Sequence, residues 1–206
     1  MIKIDEYVGV SGLVIAEMTE TINEETGEVT ETYGEVEPLA GVNSVSGEIA
    51  EASETHYYDN MGAVVVDSEG DDTYTLVVSV PAAKTRAKIE GTMYDNETGA
   101  LIGTPKVKKY FALGFIGLKA SGVKEYNWVY KGKFSGGSKT LNTKSDGTEA
   151  TNMEYTYTSI HTGAKFTKTG NKPCKYLSVE DDGKADLDSF FDTVVTPDNL
   201  KAKAAV

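Results

Sequence analysis

Apolar and polar positions alternate along most of this chain with the two-residue period of strands. From Tyr7 to Met18 the alternation is loose and weakened by Gly9 and Gly12, yet it predicts a first strand. Thr19 to Glu37 changes character, being mostly Thr, Glu and Gly. It reads as a long exposed hairpin or loop turning near Glu25-Thr26-Gly27. Val42 to Thr55 predicts a second strand with an unusual property. Ser46, Glu48, Ala50, Ala52 and Glu54 share one face, and Gly47, Ile49, Glu51 and Ser53 the other, so neither makes a good core face. Tyr57 to Val66 and Thr73 to Val80 predict two more strands around a turn at Asp67 to Asp72. Val64-Val65-Val66 and Leu76-Val77-Val78 are apolar on both faces, which predicts central positions.

The period changes once, at Pro81 to Gly91, where Pro suits the first turn of a helix and Gly its stop. Asp95 to Gly103 follows as a turn-rich connection. Lys109 to Lys119 and Lys124 to Phe134 resume as strands, with Tyr126, Trp128 and Tyr130 on one face of the second. Ser135 to Gly147 is a Gly/Ser/Lys/Asn loop, and Asn152 to His161 is another alternating strand. Ala164 to Thr169 and Lys175 to Val179 finish the sheet. Asp186 can cap a last short helix holding Leu187, Phe190 and Phe191. Pro197 ends the ordered pattern, and residues 198–206 read as a flexible tail. The expectation is one domain over residues 1–206, mainly β, an antiparallel sandwich or barrel with a flanking α-helix and a short C-terminal helix.

Charge adds a second pattern. The first sixty residues hold fourteen acids and one base, Lys3, while the remainder is nearly neutral, so the net charge of −12 sits in the N-terminal third. A pI near 4.6 and a single arginine, Arg86, argue against nucleic-acid binding, which Lys and Arg drive by displacing counterions. One cysteine, Cys174, excludes an intramolecular disulfide and reads as a buried small residue in a chain folded in a reducing cytosol. No apolar run approaches a membrane span, and the first residues lack a signal-peptide pattern.

Catalytic patterns fail on spacing. His56 and His161 have no Cys beside them, which argues against a zinc site. Gly9-Val10-Ser11-Gly12 is not a nucleophile elbow. Gly132 to Thr140 misses the phosphate loop by Ser138 and is followed by no helix pattern. The acidic turns at Asp67 to Asp72 and Glu180 to Asp188 do not match a calcium loop. Neither an enzyme nor a cofactor is expected.

An ordered set of short motifs covers about half the chain. Tyr33-Gly34 is followed by Pro38-Leu39-Ala40-Gly41-Val42, then by the acidic strand ending in Tyr57-Tyr58-Asp59-Asn60. After the helix come Tyr110-Phe111-Ala112-Leu113-Gly114-Phe115 and Tyr126-Asn127-Trp128-Val129-Tyr130-Lys131-Gly132-Lys133-Phe134, and Phe190-Phe191 closes the series. In this order the motifs resemble the major tail tube proteins of long-tailed bacteriophages, in particular those of phages and prophages of Gram-positive bacteria. The resemblance implies a β-sandwich flanked by a helix that forms hexameric rings. Stacked rings make a hollow tube whose lumen is a barrel shared between subunits. The tube encloses the tape-measure protein, meets tail terminator and distal tail or baseplate proteins at its ends, and conducts the genome without binding it specifically. It implies no cofactor or membrane anchor, and a location in the virion tail after assembly in the host cytoplasm.

Under that resemblance, a strand with two poor core faces lines a wet channel, and Glu48, Glu51 and Glu54 become candidate lumen acids that repel DNA. Ile22, Glu24, Glu25, Glu28, Val29 and Glu31 become an inter-ring contact loop. Lys84, Arg86 and Lys88 on the helix, with the lysines from Lys133 to Lys144, become cationic partners for acidic surfaces of other subunits. The alternative is a monomeric surface- or carbohydrate-binding β-sandwich presenting Tyr126, Trp128 and Tyr130.

Overall fold

The computed structural model describes residues 4–58, 61–139, 141 and 151–203. The chain begins with two long strands, β1 (Tyr7–Ile22) and β2 (Val29–Pro38), then β3 (Val42–Glu48), β4 (Glu51–Tyr58), β5 (Met61–Glu69) and β6 (Asp72–Val78). Helix α1 (Ala83–Glu90) and the short strands β7 (Met93–Tyr94) and β8 (Leu101–Ile102) follow. The chain then returns through β9 (Tyr110–Lys119), β10 (Lys124–Ser138), β11 (Met153–Ser159) and β12 (Tyr176–Glu180). The main sheet is antiparallel in the order β2-β1-β9-β10-β11-β6-β3, with β12 added on β10.

Strand β10 turns the sheet. Its first part lies between β9 and β12, and from Gly132 onward it pairs with β11. Gly132 permits this, since a β-carbon there would stand 2.4 Å from the Tyr157 ring and 2.6 Å from a backbone oxygen. β3 comes beside β1 without a ladder between them, so the sheet stays open rather than closing as a barrel.

Both faces of the sheet carry a core, as the alternation requires. Leu13 and Ile15 of β1 point into one, with Leu76, Val78, Leu113, Val129 and Phe134, and Ile89 of α1 joins it. Tyr157 is buried there because its hydroxyl donates to the carbonyls of Phe111 (2.6 Å) and Val129 (3.2 Å). Ala16, Ala112, Trp128 and Tyr130 point the other way, beneath Phe190 and Val194. Trp128 Nε1 donates to the Phe190 carbonyl at 3.2 Å and the Tyr130 hydroxyl to the Val195 carbonyl at 3.0 Å. The C-terminal segment is thus the second layer of the fold.

Several expectations are corrected. The predicted strand from Val42 to Thr55 is two strands, broken at Ile49 and Ala50, and Tyr57 to Val66 is likewise divided between β4 and β5. Val64, Val65 and Val66 are not central, since all three are exposed in a two-stranded sheet. Leu76 and Val78 are central, between β11 and β3. Residues 164–169 form no strand; they end in a 3-10 turn closed by left-handed Gly170 and Asn171. The C-terminal helix is replaced by successive turns, in which Phe190 N–H bonds Leu187 and Asp192 N–H bonds Ser189. Both Phe190 and Phe191 pack on Trp128 and Tyr126. β10 extends to Ser138, into the expected loop, whose residues 140 and 142–147 lie outside the described residues. The tail is tied down as far as Lys203, whose N–H bonds the Lys184 carbonyl at 2.8 Å; residues 204–206 lie outside the described residues.

Candidate functional site

The two ladders β3–β6 and β4–β5 are successive parts of one hairpin. Val42 opposes Val78, Glu48 opposes Thr73, and Glu51 then opposes Glu69. Across the break the Gly70 N–H donates to the Ala50 carbonyl at 2.6 Å. The first part belongs to the main sheet; the second leaves it as a two-stranded ribbon with no third strand among the described residues. Eight residues of strand make the ribbon roughly 26 Å long at about 3.3 Å per residue. Its described side chains are exposed on both faces. Tyr57 and Met61 are each 70% accessible, and Val64, Val65 and Val66 about half.

The ribbon's root is clamped. Lys175 Nζ donates to the Gly70 carbonyl at 2.8 Å and to Asp72 Oδ1 at 3.0 Å, and both side chains of the ion pair are buried. His161 Nε2 lies 3.2 Å from Glu69 Oε2. Sequence reasoning missed the ribbon, although two signals were present. Asp59-Asn60 is turn chemistry, and an apolar run flanked by acids on both sides fits an exposed element as well as a buried one. Residues 59 and 60 lie outside the described residues.

The three candidate lumen acids fall on this hairpin but do not form one set. Glu48 is on β3, opposite Thr73. Glu51 and Glu54 are on β4, opposite Glu69 and Val66, and their odd spacing places them on opposite ribbon faces. All three are exposed.

The candidate inter-ring loop is an ordered hairpin, with β1 and β2 paired from Val14–Pro38 to Ile22–Val29. Asn23 builds its tip, its Oδ1 accepting from the N–H groups of Glu25 (2.9 Å) and Thr26 (3.1 Å). Ile22, Glu24, Glu25 and Glu28 are exposed there, and Val29 is half-buried. Glu31 differs: its side chain is buried, accepts from the Gly163 N–H at 2.6 Å and lies 3.5 Å from Lys131 Nζ. Lys131 also bonds Glu20. Burial opposes the charge on Lys131, but these carboxylates outweigh it and hold its pKa above the ordinary lysine value. Glu31 therefore holds the hairpin to the body rather than facing outward.

The helix cations separate in the same way. Arg86 Nε pairs with Glu90 at 3.4 Å and Lys88 Nζ with Glu37 at 2.8 Å. Lys84 is exposed and has no carboxylate within 4 Å among the described residues. Lys84, Lys88 and Lys109 line a cleft of about 400 Å³ between α1 and the β7–β8 hairpin, together with Met93, Tyr94 and Val107. Of the lysines expected from Lys133 to Lys144, Lys133 sits 4.2 Å over the Tyr110 ring, and Lys144 lies outside the described residues.

Among the described residues, no group of three or more His, Cys, Asp or Glu could hold a metal ion. Cys174 is half-buried, and burial pushes its thiol up to about 11, assisted by the Glu31 charge. Trp128 and Tyr130 are fully buried, so the aromatic face of β10 offers no platform to a ligand. No family model matches the chain, and no curated protein matches its sequence.

Proposed function

We propose that this chain is the subunit of a bacteriophage tail tube, a structural virion protein that stacks as hexameric rings into the conduit for DNA ejection. The observation that carries the proposal is the β4–β5 ribbon, exposed on both faces and, among the described residues, unpaired along both outer edges. A lone two-stranded ribbon is marginally stable in water, and free edges with apolar side chains are templates for pairing. Such an element suits a protein whose sheet is completed by other copies. In this reading the open sheet is the tail-tube β-sandwich, and neighbouring subunits close it into a shared barrel. The order of motifs from Tyr33 to Phe134, which resembles that of tail tube proteins, supports this reading.

Glu48 and Glu54 then face the channel, where acids repel phosphates and let DNA pass. The tip carrying Ile22, Glu24, Glu25 and Glu28 contacts an adjacent ring. The tape-measure protein fills the tube before ejection, and terminator and distal tail proteins cap its ends. Light scattering over a concentration series, with electron micrographs of the same samples, tests the proposal. Rings or tubes are the expected result. A strict monomer at every concentration overturns it and favours a monomeric surface-binding module.

A further inference from the structure

We infer that the β4–β5 ribbon of one copy seats in the cationic cleft between α1 and β7–β8 of another. The inference rests on the self-assembly reading and specifies which surfaces meet.

The two surfaces lie at opposite ends of one strand. β6 begins at Asp72, where the ribbon joins the body, and ends at Val78, from which the chain passes into α1. Copies stacked head to tail along this strand bring the ribbon of one to the cleft of the next. Such a contact is heterologous: it leaves a free ribbon at one end and a free cleft at the other, so it propagates.

Charge is complementary. β4 and β5 carry Glu51, Glu54, Asp67 and Glu69 and no Lys or Arg. Glu51 and Glu69 stand directly opposite each other, and Asp67 shares their face. Like charges opposed across a ladder are unfavourable unless cations meet them. His161 reaches Glu69, but no cation lies within 4 Å of Glu51 or Asp67 among the described residues. From Ser79 to Lys109 the chain carries six cations and three acids. Among the described residues Lys84 has no ion-pair partner there, and Lys109 makes an exposed pair with Glu17.

The apolar parts also match. Val65 lies on the acidic ribbon face, opposite Thr55. The cleft presents Met93 and Val107, which are 53% and 72% accessible. Glu54 lies on the other ribbon face and stays free to line the channel.

A charge exchange tests the pairing. The ribbon variant is Glu51→Lys with Asp67→Lys; Glu69 is spared because His161 pairs with it. The cleft variant is Lys84→Glu with Lys109→Glu; Lys88 is spared because it holds Glu37. All four positions are exposed, so folding should survive, and circular dichroism melts verify it. Each variant alone should need a protein concentration about tenfold or more higher to assemble, since two exposed attractions become repulsions. Mixing the two variants, or joining all four changes in one chain, should restore assembly. Normal assembly of either variant, or failure of the four-change chain to recover while folded, overturns the inference and leaves self-assembly standing. A wild-type chain that never assembles overturns both.

Discussion

Replacing Lys175 with Met tests how the ribbon is fixed to the body. The Lys175 and Asp72 side chains are 8% and 2% accessible, and their ion pair spans 3.0 Å. Removing the lysine leaves a carboxylate without its cation in a site water barely reaches, and the Gly70 carbonyl loses its donor. Breaking a buried pair from one side costs about 3–5 kcal/mol. For a chain of this size each kcal/mol lowers the melting temperature by roughly 2–4 °C, so a fall of about 6–20 °C is expected. The comparison is Lys109→Met, which breaks the exposed pair with Glu17 and should cost less than about 1 kcal/mol. The double change Lys175→Met with Asp72→Leu should recover much of the loss, because no buried charge remains. Urea unfolding followed by circular dichroism measures all three, and hydrogen exchange should show β4 and β5 opening faster in Lys175→Met. If Lys175→Met costs no more than Lys109→Met, the pair does not fix the root and this account of the clamp is wrong.

Two further outcomes follow from the two faces of the sheet. With its thiol near 11, Cys174 should react with a thiol reagent at pH 8 roughly a hundredfold more slowly than an ordinary cysteine, whose pKa is about 8.5; a rate like that of free cysteine, with the protein folded, would refute its burial. Phe190→Ala should cost about 3–5 kcal/mol and shift the emission of Trp128 to longer wavelength, because Phe190 and its carbonyl cover that ring; unchanged emission would mean that the C-terminal segment does not form the second layer.

The hairpins show how far local pattern reaches. The turn expected near Glu25-Thr26-Gly27 is present, because Asn23 and left-handed Gly27 make it from neighbouring residues alone. The aromatic alternation at Tyr126, Trp128 and Tyr130 faces one core for the same local reason. The odd composition of Val42 to Thr55, poor in core faces, was the legible sign of the ribbon. What it could not reveal was the break at Ile49-Ala50, where β3 still has β6 inside the sheet and β4 has only β5 outside it.

The sequence by itself determined the mainly β class, the single flanking helix, the acidic N-terminal third and the absence of catalytic motif spacings. Those depend on residues close in the chain or on composition. Tertiary structure alone decided which apolar residues are buried. Leu76-Val77-Val78 and Val64-Val65-Val66 look alike as sequence, yet Leu76 and Val78 are fully buried and all three of the latter are exposed. It also decided which charges face outward, sending Glu31 inward to Lys131 and leaving Glu24 and Glu25 in solvent. Burial and pairing depend on segments a hundred residues or more apart, as Glu31 is from Lys131 and Gly163, and no periodicity within one strand carries that information.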